Sequence, residues 1–218
     1  MPPSSLRDRN ETVELNHPVD IVKFTLTYDG PLLSSANNGR VSLKMQLRRT
    51  FHPQLLELIN VHPILKEQWA RDSKIRNGEV GIGQRYFPPL TCGAFEFVPF
   101  VNRFMHLLCH LDILFMRREP AGRLFEGNDL DNRIKTLFDS LKAPQSTDQI
   151  PANDCPRDGE APFLCLVEDD ALISGFSIRT ESLLDTRPPI HDVRLVIDVT
   201  VKATLIAVGS APWLGSFV

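Results

Sequence analysis

Near the end of the chain, Val193, Leu195, Ile197, Val199 and Val201 alternate with Arg194, Asp198, Thr200 and Lys202. Successive side chains of an extended backbone point to opposite faces, so this period of two demands a strand with one dry and one wet face. A strand of that kind needs partners. Val22, Phe24, Leu26 and Tyr28, alternating with Lys23, Thr25 and Thr27, provide one, closed by the turn signal Asp29-Gly30-Pro31. His106–Met116 provides another, with Leu107, Cys109, Leu111, Ile113 and Phe115 on one face and His106, His110 and Asp112 among the residues of the other. The short apolar run Phe163–Val167 and the segment Ala171–Thr180 read as two more.

Helix signals lie between these strands. Ser42–Phe51 is rich in helix formers, Pro53 suits the first turn of a short helix reaching Ile59, and Pro63 opens a third carrying Leu65, Trp69 and Ile75. Trp69 reads as a core residue on that stripe. Asn77–Pro89 is a loop by its Gly and Pro content. The clearest helix is Asp129–Leu141, where Leu130, Ile134, Leu137, Phe138 and Leu141 form one apolar stripe. The order strand, helices, strand, helix, strand, strand predicts a mixed α/β domain of α+β type, with helices on one side of a small mixed sheet. A single domain over 1–218 is expected, with a loose leader (1–18), an irregular insertion (142–162) and an apolar tail (204–218).

Composition narrows the function. The chain is 42% hydrophobic, enough for a core, yet has no apolar run of about 18 residues that would span a membrane. Met1–Glu14 lacks the apolar stretch of a signal peptide, so a cytoplasmic location is expected. The net charge of −3 does not resemble a basic nucleic-acid binder, although Arg40–Arg76 holds eight Lys or Arg against three Asp or Glu. Cys92, Cys109, Cys155 and Cys165 show no zinc spacing, and Cys109 and Cys165 sit in apolar runs that read as core. Gly81-Ile82-Gly83 lacks the strand and helix context of a dinucleotide fingerprint. His106, His110 and Asp112 read as a polar stripe on a half-exposed strand.

The chemistry concentrates in acids. Asp129 stands where a helix N-cap belongs, and Asp131, Lys135 and Asp139 follow at i, i+4 and i+8 on one face. Capping and exposed ion pairs, each worth about 0.3–0.5 kcal/mol, account for that pattern by themselves. Glu168-Asp169-Asp170 adds three acids directly after an apolar strand. On an extended chain Glu168 and Asp170 face one way and Asp169 the other. If the helix start packs near that strand end, carboxylates converge, and two unit charges at 4 Å repel by about 4 kcal/mol at an effective dielectric of 20. A cation offsets such repulsion, and hard oxygen ligands without His or Cys suit Mg²⁺, with Mn²⁺ as a substitute. Magnesium held by a few carboxylates suits phosphate chemistry, and Lys135, one turn from Asp131, is placed to meet the same phosphate.

Asp129-Leu130-Asp131-Asn132, then Lys135 and Asp139, and later Asp169-Asp170 followed by Ile173, resemble the signature of the RusA-type Holliday junction resolvases. The resemblance implies that Asp129, Asp131 and Asp170 are metal-binding catalytic aspartates and Lys135 the catalytic lysine. Asp169 falls on the first acid of the pair, in a supporting role at the metal, and Asn132 and Asp139 on the shoulders of the motif. It further implies a magnesium-dependent homodimer that nicks four-way junctions or related branched DNA in recombination and repair. Lys44, Arg48 and Arg49 on the basic helix, Arg117 and Arg118 at a strand end, and Arg133 beside the motif are the candidate DNA contacts. The chain is longer than typical members and carries a negative net charge. An alternative is a non-catalytic DNA-binding or assembly module whose acids hold a structural cation.

Overall fold

The computed structural model describes residues 13–32, 39–79, 85–118 and 129–206. Two mixed sheets and three α-helices form an α+β fold. The larger sheet has the order β1 (Val13–Pro31), β7 (Asp192–Ile206), β4 (Leu107–Arg117) and β6 (Ile173–Ser182). β7 runs antiparallel to both β1 and β4, and β6 lies parallel to β4 at the edge. The smaller sheet has the order β2 (Leu90–Cys92), β3 (Phe95–Val101), β5 (Phe163–Val167), antiparallel then parallel. The sequence reading anticipated one sheet. β2 and β3 escaped it because FEFVPFV is apolar on both faces and shows no alternation, with all but Glu96 buried.

The alternation in β7 works as expected. Val193, Leu195, Ile197, Val199 and Val201 are buried on one face, as are Leu107, Cys109, Leu111, Ile113 and Phe115 of β4 opposite them. This face shares a single core with Leu47, Phe51, Leu55 and Ile59 of α1 (Gly39–Val61), Leu65 of α2 (Pro63–Arg76), and Ile134, Leu137 and Leu141 of α3 (Asp129–Leu141). α1 is one continuous helix through Pro53 rather than two short ones. The buried residues Leu47, Phe51, Leu55 and Ile59 recur every four residues across the proline, so packing on both sides holds the helix together. α2 starts where expected, with His62 Nδ1 accepting from Leu65 N.

The small sheet is buried on both sides. Val98, Phe100, Leu164 and Leu166 face the main core, whereas Phe95, Phe97, Phe163 and Cys165 enter a second cluster with Met45, Cys92, Ala143 and Ile150. The stretch 142–162 is therefore irregular yet packed, and it roofs the outer face of that sheet. Three of the cysteines are buried; Cys155, on this roof, is exposed.

Two boundary expectations change. Val13–Pro18, read as part of a leader, belong to β1, where Val13 and Glu14 pair with Ile206 and Leu205. Thr204–Ile206, read as tail, are the other side of that pairing. The rest of the leader and tail lie outside the described residues. Among the described residues no helix is long and apolar enough to cross a membrane.

Candidate active site

α3 forms because its apolar stripe packs on the core, and that burial fixes which face turns outward. Asp129 opens the helix; its side chain lies outside the described residues. Asp131 and Lys135 are exposed on the outward face, and Asp139 follows a turn later, half-buried. Asp170 arrives from a separate segment, at the first position of a short 3-10 turn, Asp170–Leu172, between β5 and β6. Asp131, Lys135, Asp139 and Asp170 line one hollow of about 320 Å³. Asp131, Lys135 and Asp170 thus border the same hollow.

The ion pairs are not those that helix spacing suggests. Among the described residues neither Asp131 nor Lys135 makes an ion pair. Asp139 instead binds Lys44 Nζ at 2.7 Å and Lys142 Nζ at 3.4 Å. Lys142 also reaches Asp170 Oδ2 at 3.1 Å, so one ammonium is shared by two carboxylates. Burial works against the charged form of Asp139, but Lys44 and Lys142 outweigh it and hold its pKa below the usual carboxylate range. Burial likewise opposes the charge of Lys142, and Asp170 and Asp139 outweigh it, raising its pKa. The sequence reading missed Lys142, although its i, i+3 spacing from Asp139 was a signal.

Asp169 departs from its expected place at the metal. Its carboxylate accepts from Ala171 N at 2.9 Å as the cap of the 3-10 turn, and Arg103 lies 3.7 Å away. Glu168 also turns away and accepts from Arg103 N at 2.9 Å. The expected alternation of Glu168, Asp169 and Asp170 is lost because extended pairing ends at Val167 and the chain coils before Asp170.

The proposed DNA-contact arginines are mostly internal. Arg48 is 2% exposed, Arg117 4% and Arg133 6%, so these guanidinium groups cannot reach a phosphate outside. Arg48 donates to the carbonyl oxygens of Asp139 (2.7 Å), Lys142 (3.1 Å) and Gln149 (3.5 Å). Arg49 forks onto Asp154 at 2.9 Å and Glu160 at 3.0 Å, clamping the 142–162 roof. Arg118 Nη1 donates to the carbonyls of Pro188 (2.9 Å) and Thr186 (3.3 Å). Lys44 is held by Asp139. Sequence could not foresee this, because the acceptors are backbone carbonyls and acids supplied by distant segments.

His110 and Asp112 form a polar stripe on β4. His110 Nε2 lies 3.5 Å from Asp112 Oδ1, which also accepts from Ser177 Oγ at 2.6 Å.

Among the described residues no three His, Cys, Asp or Glu side chains are gathered as a ready metal cage. The donor set at the hollow nevertheless fits magnesium: Asp131 is exposed and unpaired, Asp170 is half exposed, and both offer hard oxygen atoms. The rest of the lining is apolar: Leu130, Ile134 and Phe138 of α3, with Phe176 and Ile178 of β6, whose i, i+2 spacing puts them on one side of the strand. Phe138 and Phe176 meet edge to face, with ring centroids 5.0 Å apart and planes at 80°. No protein-family model matches the chain, and neither the curated proteins nor the solved structures provide a match.

Proposed function

We propose that the protein is a magnesium-dependent, structure-selective endodeoxyribonuclease of RusA type, nicking branched DNA such as four-way junctions as a homodimer in recombination or repair. The observation that carries this reading is the meeting of Asp131 and Lys135, both exposed and unpaired, with Asp170 from a separate segment around one hollow. Exposed acids and a lysine at i, i+4 that forgo pairing are available for a ligand. The signature that these residues spell adds the chemistry.

Asp131 and Asp170, with Asp129 at the same helix start, are the residues that would hold the ion. When bound, magnesium supplies positive charge that polarises a phosphate and acidifies water. Lys135 binds a non-bridging phosphate oxygen and offsets the charge that grows on it in the transition state. Its ammonium is also a proton source for the departing oxygen. Lys142 acts on the substrate only through others: it orients Asp170 and is itself anchored by Asp139.

The burial of Arg48, Arg117 and Arg133, and the engagement of Arg49 by Asp154 and Glu160, favour a second reading, a non-catalytic module whose acids bind a structural cation. The deciding experiment is cleavage of labelled four-way junction, flap, duplex and single-stranded DNA with magnesium. Paired symmetric nicks in the junction, reduced at least 100-fold in Asp131→Asn with an unchanged melting temperature, are expected. Cation-dependent stability without cutting of any substrate would replace the nuclease by the second reading.

A further inference from the structure

An apolar, aromatic-walled hollow is an odd neighbour for phosphate chemistry, which needs only charge and water. Phe176 is 51% exposed, and it is one of few large apolar side chains so exposed among the described residues. Unlike Leu184 or Val61, it sits over a cavity, its ring set edge to face against Phe138. Its lining combines apolar side chains with a few charged ones, as in small-ligand sites where a few placed charges orient a body held by apolar walls.

We propose that this hollow is a nucleobase pocket, taking one unstacked base of the strand whose phosphate lies at Asp131, Lys135 and Asp170. The proposal rests on the nuclease reading of the same site. Three features select the occupant. The volume of about 320 Å³ is at the small end of ligand pockets, suited to one planar ring system rather than a peptide segment. The exposed face of Phe176 offers stacking that any base can use, because every base has a π face. The charged and aromatic side chains also border one and the same hollow, and a nucleotide likewise joins its phosphate to its base through a single sugar. Lys135 and Phe138 are three residues apart on α3, about 4.5 Å along the axis. An aliphatic occupant would leave the Lys135 ammonium and the Asp131 carboxylate without partners.

The consequence is a substrate preference. A base in the hollow has left its helical stack, so the enzyme favours cuts where a base is already unpaired or weakly held: a branch point, a flap or a single strand. Extruding a base from continuous duplex costs unstacking, which lowers affinity there.

The test uses the full-length protein, a single-stranded oligonucleotide and a four-way junction, each carrying 2-aminopurine, which brightens when it leaves its stack. Binding is followed by fluorescence with calcium replacing magnesium. Wild type is expected to brighten the probe. Phe176→Ala and Phe176→Leu are expected to abolish the brightening and weaken binding about tenfold, with Phe176→Tyr retaining both. Phe176→Leu keeps apolar bulk but no ring, so it stands in should the alanine variant fail to fold. If wild type leaves the probe dark, or if the leucine variant behaves as wild type, the base pocket is overturned even where junction cleavage is intact. If the probe brightens through Phe176 while no DNA is cut, the base pocket stands and the nuclease reading falls. If Phe176→Leu instead converts a dimer to a monomer in sedimentation velocity, the hollow belongs to an interface between two copies and the proposal fails.

Discussion

Arg48 carries a positive charge into an interior where it is 2% exposed, and its surroundings explain how. Asp139 and Lys142 stand at the C-terminal end of α3, where helix carbonyls lack intrahelical partners and the dipole is negative. One guanidinium satisfies both and ties in Gln149 of the roof. Burial lowers its pKa, but an arginine stays charged at any physiological pH. Arg48→Met removes the donors and leaves buried carbonyls unsatisfied; a loss of about 3 kcal/mol or more in urea unfolding is expected, with poor rescue by lysine, which cannot fork. Asp139 sets a pH dependence. Its pKa is lower folded than unfolded, so its contribution is fully present above the unfolded value near 3.8 and is lost as pH falls through the folded one. In thermal melts Asp139→Asn is therefore expected to be less stable than wild type at pH 7, with the gap closing as the pH drops below 3.8. That Asp131 and Lys135 share an exposed helix face was legible in the sequence because helical spacing and the apolar stripe of α3 fix it. Arg48 and Lys142 were not, since their partners come from distant segments and partly from backbone.

α1 shows the limit of local signals at the scale of an element. Pro53 lacks the N–H for the bond to Arg49 O and crowds that carbonyl, a penalty of about 3 kcal/mol in a helix interior. Local reasoning therefore breaks the helix there, and tertiary burial of Phe51 and Leu55 overrides it. Pro53→Ala is expected to raise stability by about 1–2 kcal/mol in urea titration, part of the helix gain being offset by a freer unfolded chain. β3 repeats the lesson. Pro99 pairs in register with Cys165 of β5, but β2 pairs only with Phe95–Phe97, so on that side the strand has no ladder partner at Pro99 among the described residues and tolerates a missing donor. α3, β4, β5 and β7 were legible because each has one period or one clean apolar run.

For the molecule as a whole, the net charge of −3 and the internal arginines limit how many phosphates can be neutralised. Binding to a junction is expected to show a shallow salt dependence, with log K against log salt near −2 to −3 between 50 and 200 mM. A slope of −6 or steeper would mean a basic surface beyond Lys135 and its neighbours. On the proposed nuclease reading, recognition then rests on shape and on the site more than on charge. The architecture also separates the thiols. Cys109 and Cys165 are buried and pushed up to about 12 by desolvation, and Cys92 is buried and raised as well. These three stay protonated and shielded at neutral pH, while Cys155 stands exposed on the roof, its carbonyl accepting from Arg49 Nη2 at 3.2 Å. A maleimide dye or spin label added to the unaltered protein would thus go to one position, and would report any movement of the roof.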